Sequence, residues 1–541
     1  MQDPPSSGDR PTARNLADLV RIAADLRPGA AALLHPGRPG LLSEAERTSW
    51  SELDALVNRA VSAFDALGLS PGERVAIMMS NTPAFPVAYF GALRAGLAVV
   101  PVDTCATAAE VLHQLVDSGS RAVVVDTDAA ARVLEVSPRT AVTIVWVAGA
   151  ATAPAGAAVF EDALRESPAE APPGVLAAGE DLAVLAYTSG TSGRPKGVML
   201  SHRALSADLD NVSRISPPVA GPDDVVLLVL PLTHIYGLNS GLGLVARTAA
   251  TGLLLDRSDP EATLAAVTRH AVTVVLAAPP TFEAWSELEN VAESLTTVRL
   301  AITGAAPMPP AAARRLLEAA GRPVFESYGL TETAPSVTST LMSEAAQPGS
   351  IGRRVPGVEV RLVDASGSEV DDDDAGEICV RGANLFSGYW PDRRDGPDAD
   401  GWWPTGDVAV RDAAGELTLV DRRREVIVVS GFNVYPREVE QALVSHPAVA
   451  EAAVLGIPHP YTGEAVRALV VTEAGAMASG EELLAHVSRR LARFKCPTSM
   501  QFVSELPRSS TGKVSKARLR ESLASEPATR SQQFVRGEPT P

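Results

Sequence analysis

A glycine-rich string over residues 187–197 has the composition of an anion-binding loop. Its sequence is Tyr-Thr-Ser-Gly-Thr-Ser-Gly-Arg-Pro-Lys-Gly, and it follows the apolar stretch 182–186, which predicts a buried strand. The glycines allow tight turns that point backbone N–H groups at an anion, while the hydroxyls and Lys196 add donors and positive charge. Because Lys196 is followed by Gly197, the spacing differs from that of the Walker A motif. The string alone predicts a phosphate-binding loop, with a flexible Gly/Ser loop as the alternative.

Six further stretches accompany this loop in a fixed chain order. They are Leu-Pro-Leu-Thr-His-Ile-Tyr-Gly at 230–237, Gly-Ala-Ala-Pro-Met at 304–308, Tyr-Gly-Leu-Thr-Glu at 328–332, Trp-Pro-Thr-Gly-Asp at 403–407, Ser-Gly-Phe-Asn-Val-Tyr-Pro at 430–436 and Ser-Ser-Thr-Gly-Lys-Val at 509–514. Together with the loop they closely resemble the motifs of the adenylate-forming superfamily: acyl-CoA synthetases, peptide-synthetase adenylation domains and luciferases. The resemblance covers most of the chain. It implies that a carboxylate and ATP give an acyl-adenylate and pyrophosphate, after which the acyl group passes to a thiol, coenzyme A.

The resemblance also implies which residues meet the phosphates of ATP. The loop residues expected around the β- and γ-phosphates are Thr188, Ser189, Gly190, Thr191, Ser192, Gly193 and Lys196. Thr331 would donate to the α-phosphate. Glu332 would bind Mg²⁺, an ion that bridges phosphate oxygens and stabilises the leaving pyrophosphate.

The nucleoside and the reacting carboxylate have their own implied residues. Adenine would lie between Tyr328 and a wall made of Gly304, Ala305 and Ala306. Asp407 would accept hydrogen bonds from both ribose hydroxyls, with Arg422 reaching the same region. Lys513 resembles the mobile lysine that bridges the α-phosphate and the attacking carboxylate. Its role would be electrostatic, because a carboxylate at neutral pH is already the nucleophile.

Three more positions bear on the transfer to the thiol. His234 resembles the gate between the nucleotide and acyl pockets. Arg424 stands where the family commonly has a hinge Lys or Asp about which the C-terminal domain rotates. Gly431 would line the thiol tunnel, where a side chain would obstruct pantetheine. The resemblance therefore implies two domain poses, one for each half-reaction.

The acid itself is less well defined by the sequence. The stretches 430–436 and 230–237 look like those of bacterial fatty acyl-CoA ligases and plant 4-coumarate-CoA ligases, although Thr233 replaces the common Phe. Small residues at Ser240, Gly241 and Gly243 suit either a roomy apolar pocket or tight helix packing. We see no acidic residue placed to hold an amino group. A fatty, aromatic or other bulky apolar acid is therefore expected.

Three alternatives remain, of which the first two share these first-step residues. One loads a carrier-protein phosphopantetheine thiol instead of coenzyme A, and one is a luciferase-like oxidase. A third is a non-catalytic nucleotide-binding scaffold, which the presence of Lys196, Glu332, Asp407 and Lys513 disfavours.

The elements that must position these residues form an α/β pattern. Continuous apolar runs predict buried strands at 74–79, 121–125, 142–147, 224–230, 272–276 and 298–302, as in sheets covered by helices on both faces. Helices are predicted over 83–95 and 310–320, each with a proline near its start. We predict an N-terminal adenylation domain over 16–421, with a β-rich subdomain at 350–421, a hinge at 422–425 and a small mobile α+β domain at 426–523. Residues 1–15 and 524–541 are expected to be disordered tails.

Composition narrows the classes of partner and compartment. The 541 residues carry a net charge of −18, which disfavours a nucleic-acid surface. The aspartates at 371–374 favour a solvated loop over a metal site. Three isolated cysteines, at 105, 379 and 496, are expected to be small, partly buried hydrophobes. No apolar stretch reaches the ~20 residues of a membrane span, so a cytoplasmic protein is expected, and oligomerisation is possible.

Overall fold

The structure is a computed structural model that describes most of the chain. The described residues are 15–38, 40–170, 177, 179–188, 195–255, 259–343, 349–422, 425, 427–429, 432–459, 462–476, 478–508 and 514–525. They divide into two compact units. The first comprises Met1–Val360 with Val380–Trp403, and the second comprises Arg361–Cys379 with Pro404–Pro541.

The helices are numbered in chain order. They are α1 (Asp18–Leu26), α2 (Trp50–Ala66), α3 (Ala84–Arg94), α4 (Ala108–Ser118), α5 (Thr127–Val136), α6 (Phe160–Glu166), α7 (His202–Ser213), α8 (Leu244–Thr248), α9 (Pro260–Arg269), α10 (Pro279–Ser286), α11 (Val291–Ser294), α12 (Pro310–Ala320), α13 (Pro436–Val444), α14 (Gly480–Ser488) and α15 (Lys516–Ser525). A π-helix spans Tyr236–Gly243, and short 3₁₀ turns span Ser137–Arg139, Thr331–Thr333, Thr340–Met342 and Arg493–Lys495.

The strands are numbered in the same way. They are β1 (Ala31–Leu34), β2 (Arg47–Ser49), β3 (Arg74–Met78), β4 (Ala98–Pro101), β5 (Ala122–Asp126), β6 (Ile144–Ala148), β7 (Ala158–Val159), β8 (Leu182–Thr188), β9 (Lys196–Ser201), β10 (Val225–Leu228), β11 (Thr251–Leu254), β12 (Val274–Ala277), β13 (Leu300–Thr303), β14 (Val324–Gly329), β15 (Ser336–Ser339), β16 (Arg353–Arg354), β17 (Val358–Val363), β18 (Ala375–Gly382), β19 (Trp402–Arg411), β20 (Leu417–Arg422), β21 (Ile427–Val429), β22 (Phe432–Val434), β23 (Val449–His459), β24 (Gly463–Thr472) and β25 (Ser499–Phe502).

A seven-stranded sheet in the first unit has the order β7-β6-β5-β3-β4-β8-β9. Its strands pair in parallel except for the last pair, β8 with β9, which is antiparallel. Helices α4 and α5 cover one face with a core that includes Val111, Val123 and Val133. Strand β9 leads directly into α7, whose first turn is capped by the Ser201 hydroxyl.

A nine-stranded sheet in the same unit has the order β16-β15-β14-β13-β12-β10-β11-β1-β2. The strands from β14 to β1 in this order are parallel, and the sheet becomes antiparallel at β15 and β16 and again at β2. Its core includes Leu264, Val275, Trp285 and Leu316. Because the carboxyl ends of parallel strands share one edge, the loops after β10, β13 and β14 meet there.

The edge segment, residues 386–395, lies along the outer side of β9. Ser387 donates its backbone N–H to the Met199 carbonyl, Met199 donates to Gly388, and Trp390 donates to Gly197, at 2.9, 3.1 and 2.8 Å. These alternating bonds form an isolated antiparallel bridge to β9, with Val198 opposite Tyr389. The edge segment therefore holds the strand that begins at Lys196.

The second unit has its own sheet and core. A sheet of the order β22-β21-β24-β23 is joined by β25, which pairs in parallel with β24. Helices α13 and α14 pack on it around Val439, Val466 and Leu483. A four-stranded sheet of the order β17-β18-β19-β20 contains the β-rich part of the chain.

The mixed α/β architecture predicted from the sequence is confirmed, including buried strands at each of the six predicted runs and a helix over Pro310–Ala320. Arg361–Cys379 belongs to the second unit, and the predicted domain boundaries stay predictions. Cys379 and Cys496 are buried, whereas Cys105 is exposed because it lies in a turn where its N–H donates to Asp103. Among the described residues, no helix combines the length and apolar character needed to cross a membrane.

Candidate active site

The described base of the phosphate loop is an antiparallel hairpin. Thr188 ends β8 and Lys196 begins β9, and the two residues are directly paired. The strand predicted from the apolar stretch before the loop therefore ends beside Lys196. Ser189, Gly190, Thr191, Ser192 and Gly193 lie outside the described residues.

The Lys196 side chain lies between an aromatic ring and a carboxylate. Its Nζ is 4.7 Å from the centroid of the Tyr389 ring and 3.6 Å from Oδ2 of Asp395. Both partners belong to the edge segment. Lys196 is 38% exposed and Asp395 is 63% exposed, so this ion pair is screened and contributes about 1 kcal/mol at most. A phosphate oxygen could replace Asp395 at little cost.

Glu332 reaches the same tyrosine from the other sheet. It lies in the 3₁₀ turn after β14, and its Oε1 accepts a 2.7 Å hydrogen bond from the Tyr389 hydroxyl. The Glu332 carbonyl accepts from the Phe386 N–H at 2.9 Å. The side chain is buried. Tyr389 therefore brings together Lys196 and Glu332, which the sequence assigned to one site from separate motifs.

Thr331 and Glu332 are held by a buried polar network. The Asn384 side chain donates to the carbonyls of Thr333 and Ser336, at 2.7 and 3.0 Å. On the other side, the Ser336 N–H donates to Asp208 at 2.9 Å. These bonds satisfy backbone groups at residues 333 and 336, in addition to the backbone bond from Leu330 to the Pro335 carbonyl that closes the turn.

Asp208 connects this loop to the π-helix. The Asn239 side chain donates to Asp208, to the Leu205 carbonyl and to the Ala334 carbonyl, at 3.1, 3.1 and 2.7 Å. Asp208 is fully buried, and burial raises its pKa to about 7, although the hydrogen bonds from Ser336 and Asn239 act in the opposite direction. The carboxyl group therefore titrates near neutral pH.

The expected adenine site lies at the carboxyl ends of two neighbouring parallel strands. Gly304 follows β13, and Tyr328 is near the end of β14 and is buried. A side chain at Gly304 would place its Cβ 3.1 Å from the Ser327 carbonyl oxygen and 3.2 Å from the Tyr236 ring. Ala305 has a φ of +70°. The strand ends place the two predicted walls beside each other, and their role toward adenine stays a prediction.

His234 lies in the turn that precedes the π-helix. Its Nδ1 accepts the Tyr236 N–H at 3.2 Å, and its own N–H donates to the Pro231 carbonyl at 3.0 Å. Asn81 fixes this stretch: it donates to the Leu228 and Leu230 carbonyls and accepts from the Leu232 N–H. The side chains of Thr233 and His234 are half-buried.

The glycines of the π-helix have close neighbours. A Cβ at Gly241 would lie 3.1 Å from a methyl of Leu228, and one at Gly243 would lie 2.8 Å from the Asn239 side-chain oxygen. Contacts this close favour tight helix packing over a roomy apolar pocket at these positions.

Asp407 belongs to the second unit. It is buried on β19, its N–H donates to the Thr405 hydroxyl at 3.1 Å, and it is paired with Arg422 on β20. Thr405 in turn donates to the Ile378 carbonyl at 2.9 Å. Arg424, Gly431 and Lys513 lie outside the described residues.

A cluster of opposite charges lies beside two of these positions in sequence. Lys516 Nζ is 2.9 Å from a carboxylate oxygen of Glu425 and 2.9 Å from one of Glu440, and the three side chains are less than 20% exposed. Lys516 follows Lys513 by three residues, and Glu425 follows Arg424. Removing one partner from a mostly buried ion pair of this kind destabilises the folded protein, because the other charge stays buried without its partner.

Sequence reasoning missed four of the residues that shape the site: Tyr389, Asp395, Asp208 and Asn239. One of them left a signal. Asp208 shares a helix face with the apolar Leu205 and Leu209, and a carboxylate on such a face must be buried with partners. Tyr389 and Asp395 left no such signal in the sequence, because the residues that they contact are far away along the chain.

Two largely parallel sheets in an α/β fold bring a lysine and a buried carboxylate to one place, an arrangement that suits a nucleotide with a bound metal ion. Two family models match the chain: the AMP-binding enzyme over residues 24–390 and the AMP-binding enzyme C-terminal domain over 438–513. The chain belongs to the AMP-binding enzyme family, as the motifs predicted.

Similar proteins share nearly the whole length. A long-chain-fatty-acid–CoA ligase of Yersinia pestis is 35% identical over 522 residues, which cover 91% of this chain and 92% of the relative. A feruloyl-CoA synthase of an Amycolatopsis species is 34% identical over 508 residues, which cover 92% and 96%. The crystal structure of ATP-bound MatB from Rhodopseudomonas palustris has a TM-score of 0.85 and 30% identity, and covers 94% of this chain and 99% of MatB.

Proposed function

We propose that this chain is an ATP-dependent acyl-CoA synthetase. A carboxylate oxygen of the acid attacks the α-phosphorus of ATP, the bond to the β-phosphate oxygen breaks, and acyl-AMP and pyrophosphate form. The coenzyme A thiol then attacks the acyl carbon, AMP leaves, and the thioester forms. The observation that carries the proposal is the meeting of Lys196 and Glu332 on Tyr389, because it brings a cation and a carboxylate from two sheets to one place. A nucleotide with a bound metal ion needs both.

Lys196 would attract the phosphates that leave as pyrophosphate, since it is an exposed cation with only a weak ion pair to displace. Thr331, in the same 3₁₀ turn as Glu332, would donate to the α-phosphate. These assignments follow from the family motifs and from the position of the side chains at strand ends.

Glu332 fits a role as the Mg²⁺ ligand. Mg²⁺ with a nucleotide commonly uses one or two protein carboxylates together with phosphate oxygens. Glu332 is buried, and its carboxylate accepts a hydrogen bond from the Tyr389 hydroxyl. Among the described residues, no group of three or more His, Cys, Asp or Glu side chains could hold a metal ion. Bound Mg²⁺ would neutralise charge on the departing pyrophosphate.

The remaining predicted residues complete the two steps. Lys513 would bridge the α-phosphate and the attacking carboxylate during adenylation, and Asp407 would hold the ribose. Arg424 would act as the hinge between the two poses, and Gly431 would leave room for pantetheine. The ion cluster of Lys516 with Glu425 and Glu440 supports this view, because it joins the residue after Arg424 to a residue three positions after Lys513 within one unit.

For the acid, a bulky apolar carboxylate is favoured. The two relatives are named for long-chain fatty acids and for ferulate. The glycines of the π-helix pack closely in place of lining open space, so they do not define the pocket. ATP and coenzyme A are cytoplasmic metabolites, which favours the cytoplasm as the place of action.

The reaction is tested by its products. Purified protein is incubated with ATP, Mg²⁺ and a panel of fatty, aromatic and polycyclic acids, with coenzyme A, with a phosphopantetheine carrier protein, or with neither. We expect acid-dependent pyrophosphate and AMP, and a thioester only with coenzyme A. The Lys196→Ala variant, prepared in the same way, controls for contaminating activity. ADP and phosphate as products would refute the proposal, and a thioester formed only on the carrier protein would reassign the acceptor.

A further inference from the structure

We propose that Tyr389 is a positioning residue for adenylation: its hydroxyl orients the Glu332 carboxylate toward the metal ion, and its ring holds Lys196 beside the phosphates. This inference rests on the proposed function and adds a residue to it. Tyr389 lies outside the seven motif stretches of the sequence. Its role follows from the contacts that it makes in the folded chain.

The hydroxyl group has a defined partner. The 2.7 Å distance from the Tyr389 oxygen to Glu332 Oε1 is typical of a strong O–H···O bond, and the carboxylate must be the acceptor. A hydrogen bond to a charged group stabilises more than one between neutral groups. The bond therefore restricts the rotation of a carboxylate that lies in a short turn.

The ring has a second partner on its face. Lys196 Nζ is 4.7 Å from the ring centroid, well within the range of a cation–π interaction. This attraction leaves the charge of Lys196 available to an anion, unlike a buried ion pair. The competing carboxylate, Asp395, is largely exposed. Tyr389 thus contacts the cation of Lys196 and the proposed metal ligand Glu332 at once.

The tyrosine is itself held on several sides. Its N–H donates to the Arg394 carbonyl at 2.9 Å, and the next residue, Trp390, bonds to Gly197 on β9. The Phe386 ring packs edge-on against the Tyr389 ring, with centroids 5.1 Å apart. Trp390 also donates through Nε1 to the Asp117 carbonyl at 3.0 Å. A ring fixed in this way can impose a position on Glu332, which a mobile surface tyrosine could not do.

A basic residue at position 389 would not serve the same purpose. A lysine or arginine would pair with Glu332 and neutralise it, and would repel both Mg²⁺ and Lys196. A phenol satisfies one lone pair of the carboxylate and leaves its charge. The chemistry of the pair therefore favours a tyrosine that prepares a metal ligand over one that merely packs.

The test removes only the hydroxyl. The Tyr389→Phe variant keeps the ring and hence the contact with Lys196. Calorimetry with a non-hydrolysable ATP analogue, and paramagnetic resonance with Mn²⁺ in place of Mg²⁺, measure binding without turnover. We expect the Kd of Mn²⁺ in the ternary complex to rise about tenfold or more, while the Kd of the analogue in EDTA is unchanged. Tyr389→Leu, which also removes the ring, should weaken binding in EDTA as well.

Two comparisons separate positioning from packing. Tyr89→Phe is the matched control: Tyr89 is fully buried in α3, and its hydroxyl has no hydrogen-bond partner within the described part of the chain. It should bind Mn²⁺ like the wild type. In a Glu332→Gln background, Tyr389→Phe should have no further effect on Mn²⁺ affinity, because the carboxylate it orients is gone.

The outcomes distinguish this inference from the proposed function. If the wild type forms acyl-AMP and Tyr389→Phe binds Mn²⁺ as tightly as the wild type does, the positioning role is wrong and the proposed function stands. An additive effect of Tyr389→Phe in the Glu332→Gln background would also overturn it. If the wild type neither binds the metal–analogue complex nor releases pyrophosphate with any acid, both proposals fail.

Discussion

Each of the two sheets in the first unit carries one hairpin of the candidate site. The two hairpins lie at similar places in their sheets but are supported differently. In each sheet a run of parallel strands ends in an antiparallel pair, β8–β9 in one sheet and β14–β15 in the other. Each reversal carries a residue of the candidate site, Lys196 or Glu332. A reversal leaves the loop at the carboxyl edge of the parallel strands, where ligands bind in such sheets.

The support of the two hairpins differs. The described part of the first is held by its own strand pairing and by the edge segment. The second, residues 330–336, has backbone hydrogen bonds of its own and is held in addition by side chains from distant parts of the chain: Asp208, Asn239, Asn384 and Tyr389. The first type of loop is recognisable from its own residues, whereas the second depends on a network that only the fold assembles.

The largest difference between the two hairpins is expected in the stability lost when one glycine of each is replaced by alanine. A Cβ at Gly329 would overlap the Pro335 carbonyl oxygen, which is backbone and cannot move away, whereas a Cβ at Gly197 would first meet a Leu185 methyl at 2.8 Å. We expect Gly329→Ala to lower the free energy of unfolding by more than about 3 kcal/mol and Gly197→Ala by about 1 kcal/mol. Urea denaturation of both variants measures this difference. Equal losses would show that the second hairpin can relax as easily as the first.

Removing the charge from the first hairpin should affect catalysis without affecting the fold. Lys196→Ala should lower kcat for adenylation about 10²–10³-fold, the usual effect of losing one preorganised electrostatic contact. Its melting temperature should stay near that of the wild type, because the side chain is 38% exposed and weakly paired. Pyrophosphate release and calorimetry provide the two measurements. A large fall in the melting temperature would instead assign Lys196 a structural role.

The second hairpin should respond to pH through Asp208. Because burial raises its pKa in the folded state to about 7, against about 3.9 when unfolded, the folded state retains a proton that the unfolded state loses. The contribution to stability is complete below about pH 4 and is lost as pH rises through 7. The Asp208→Asn variant has no carboxyl group at this position and therefore keeps its stability over this pH range. The free energy of unfolding of the variant minus that of the wild type should rise between pH 4 and 7 by an amount on the order of 3 kcal/mol.

Comparing the two proteins at each pH cancels the other titrating groups. Urea denaturation at pH 5, 6, 7 and 8 would reveal the trend. A difference that stays constant over this range would mean that Asp208 is ionised in the fold.

The smallest effect concerns the exposed ion pair at Lys196. Asp395→Asn frees the lysine from a competing carboxylate, so the KM for ATP should fall, by about fivefold at most for a pair contributing up to ~1 kcal/mol. Asp392→Asn is the control, because Asp392 is similarly exposed and pairs with Arg394 instead. An unchanged KM in Asp395→Asn, equal to the control, would show that the pair does not compete with ATP.

The sequence predicts one half of this site well and the other poorly. The apolar runs define β3, β10 and β13, and the glycine string defines the first hairpin, since each signal is local. The motif at 328–332 predicts Thr331 and Glu332 but not what holds them. Asp208 is 128 residues from Ser336 and Tyr389 is 57 residues from Glu332. Contacts across such separations depend on sheet order, which no local pattern of residues encodes.

The edge segment has one more consequence, for the solution behaviour of the protein. A terminal strand such as β9 would otherwise present a row of unpaired amide and carbonyl groups, and such rows recruit strands from other molecules. The hydrogen bonds to residues 387, 388 and 390 occupy that row at Gly197 and Met199. The stretch that orients the site therefore also protects the sheet from self-association. Variants that loosen it should reveal themselves by forming aggregates rich in intermolecular β-structure.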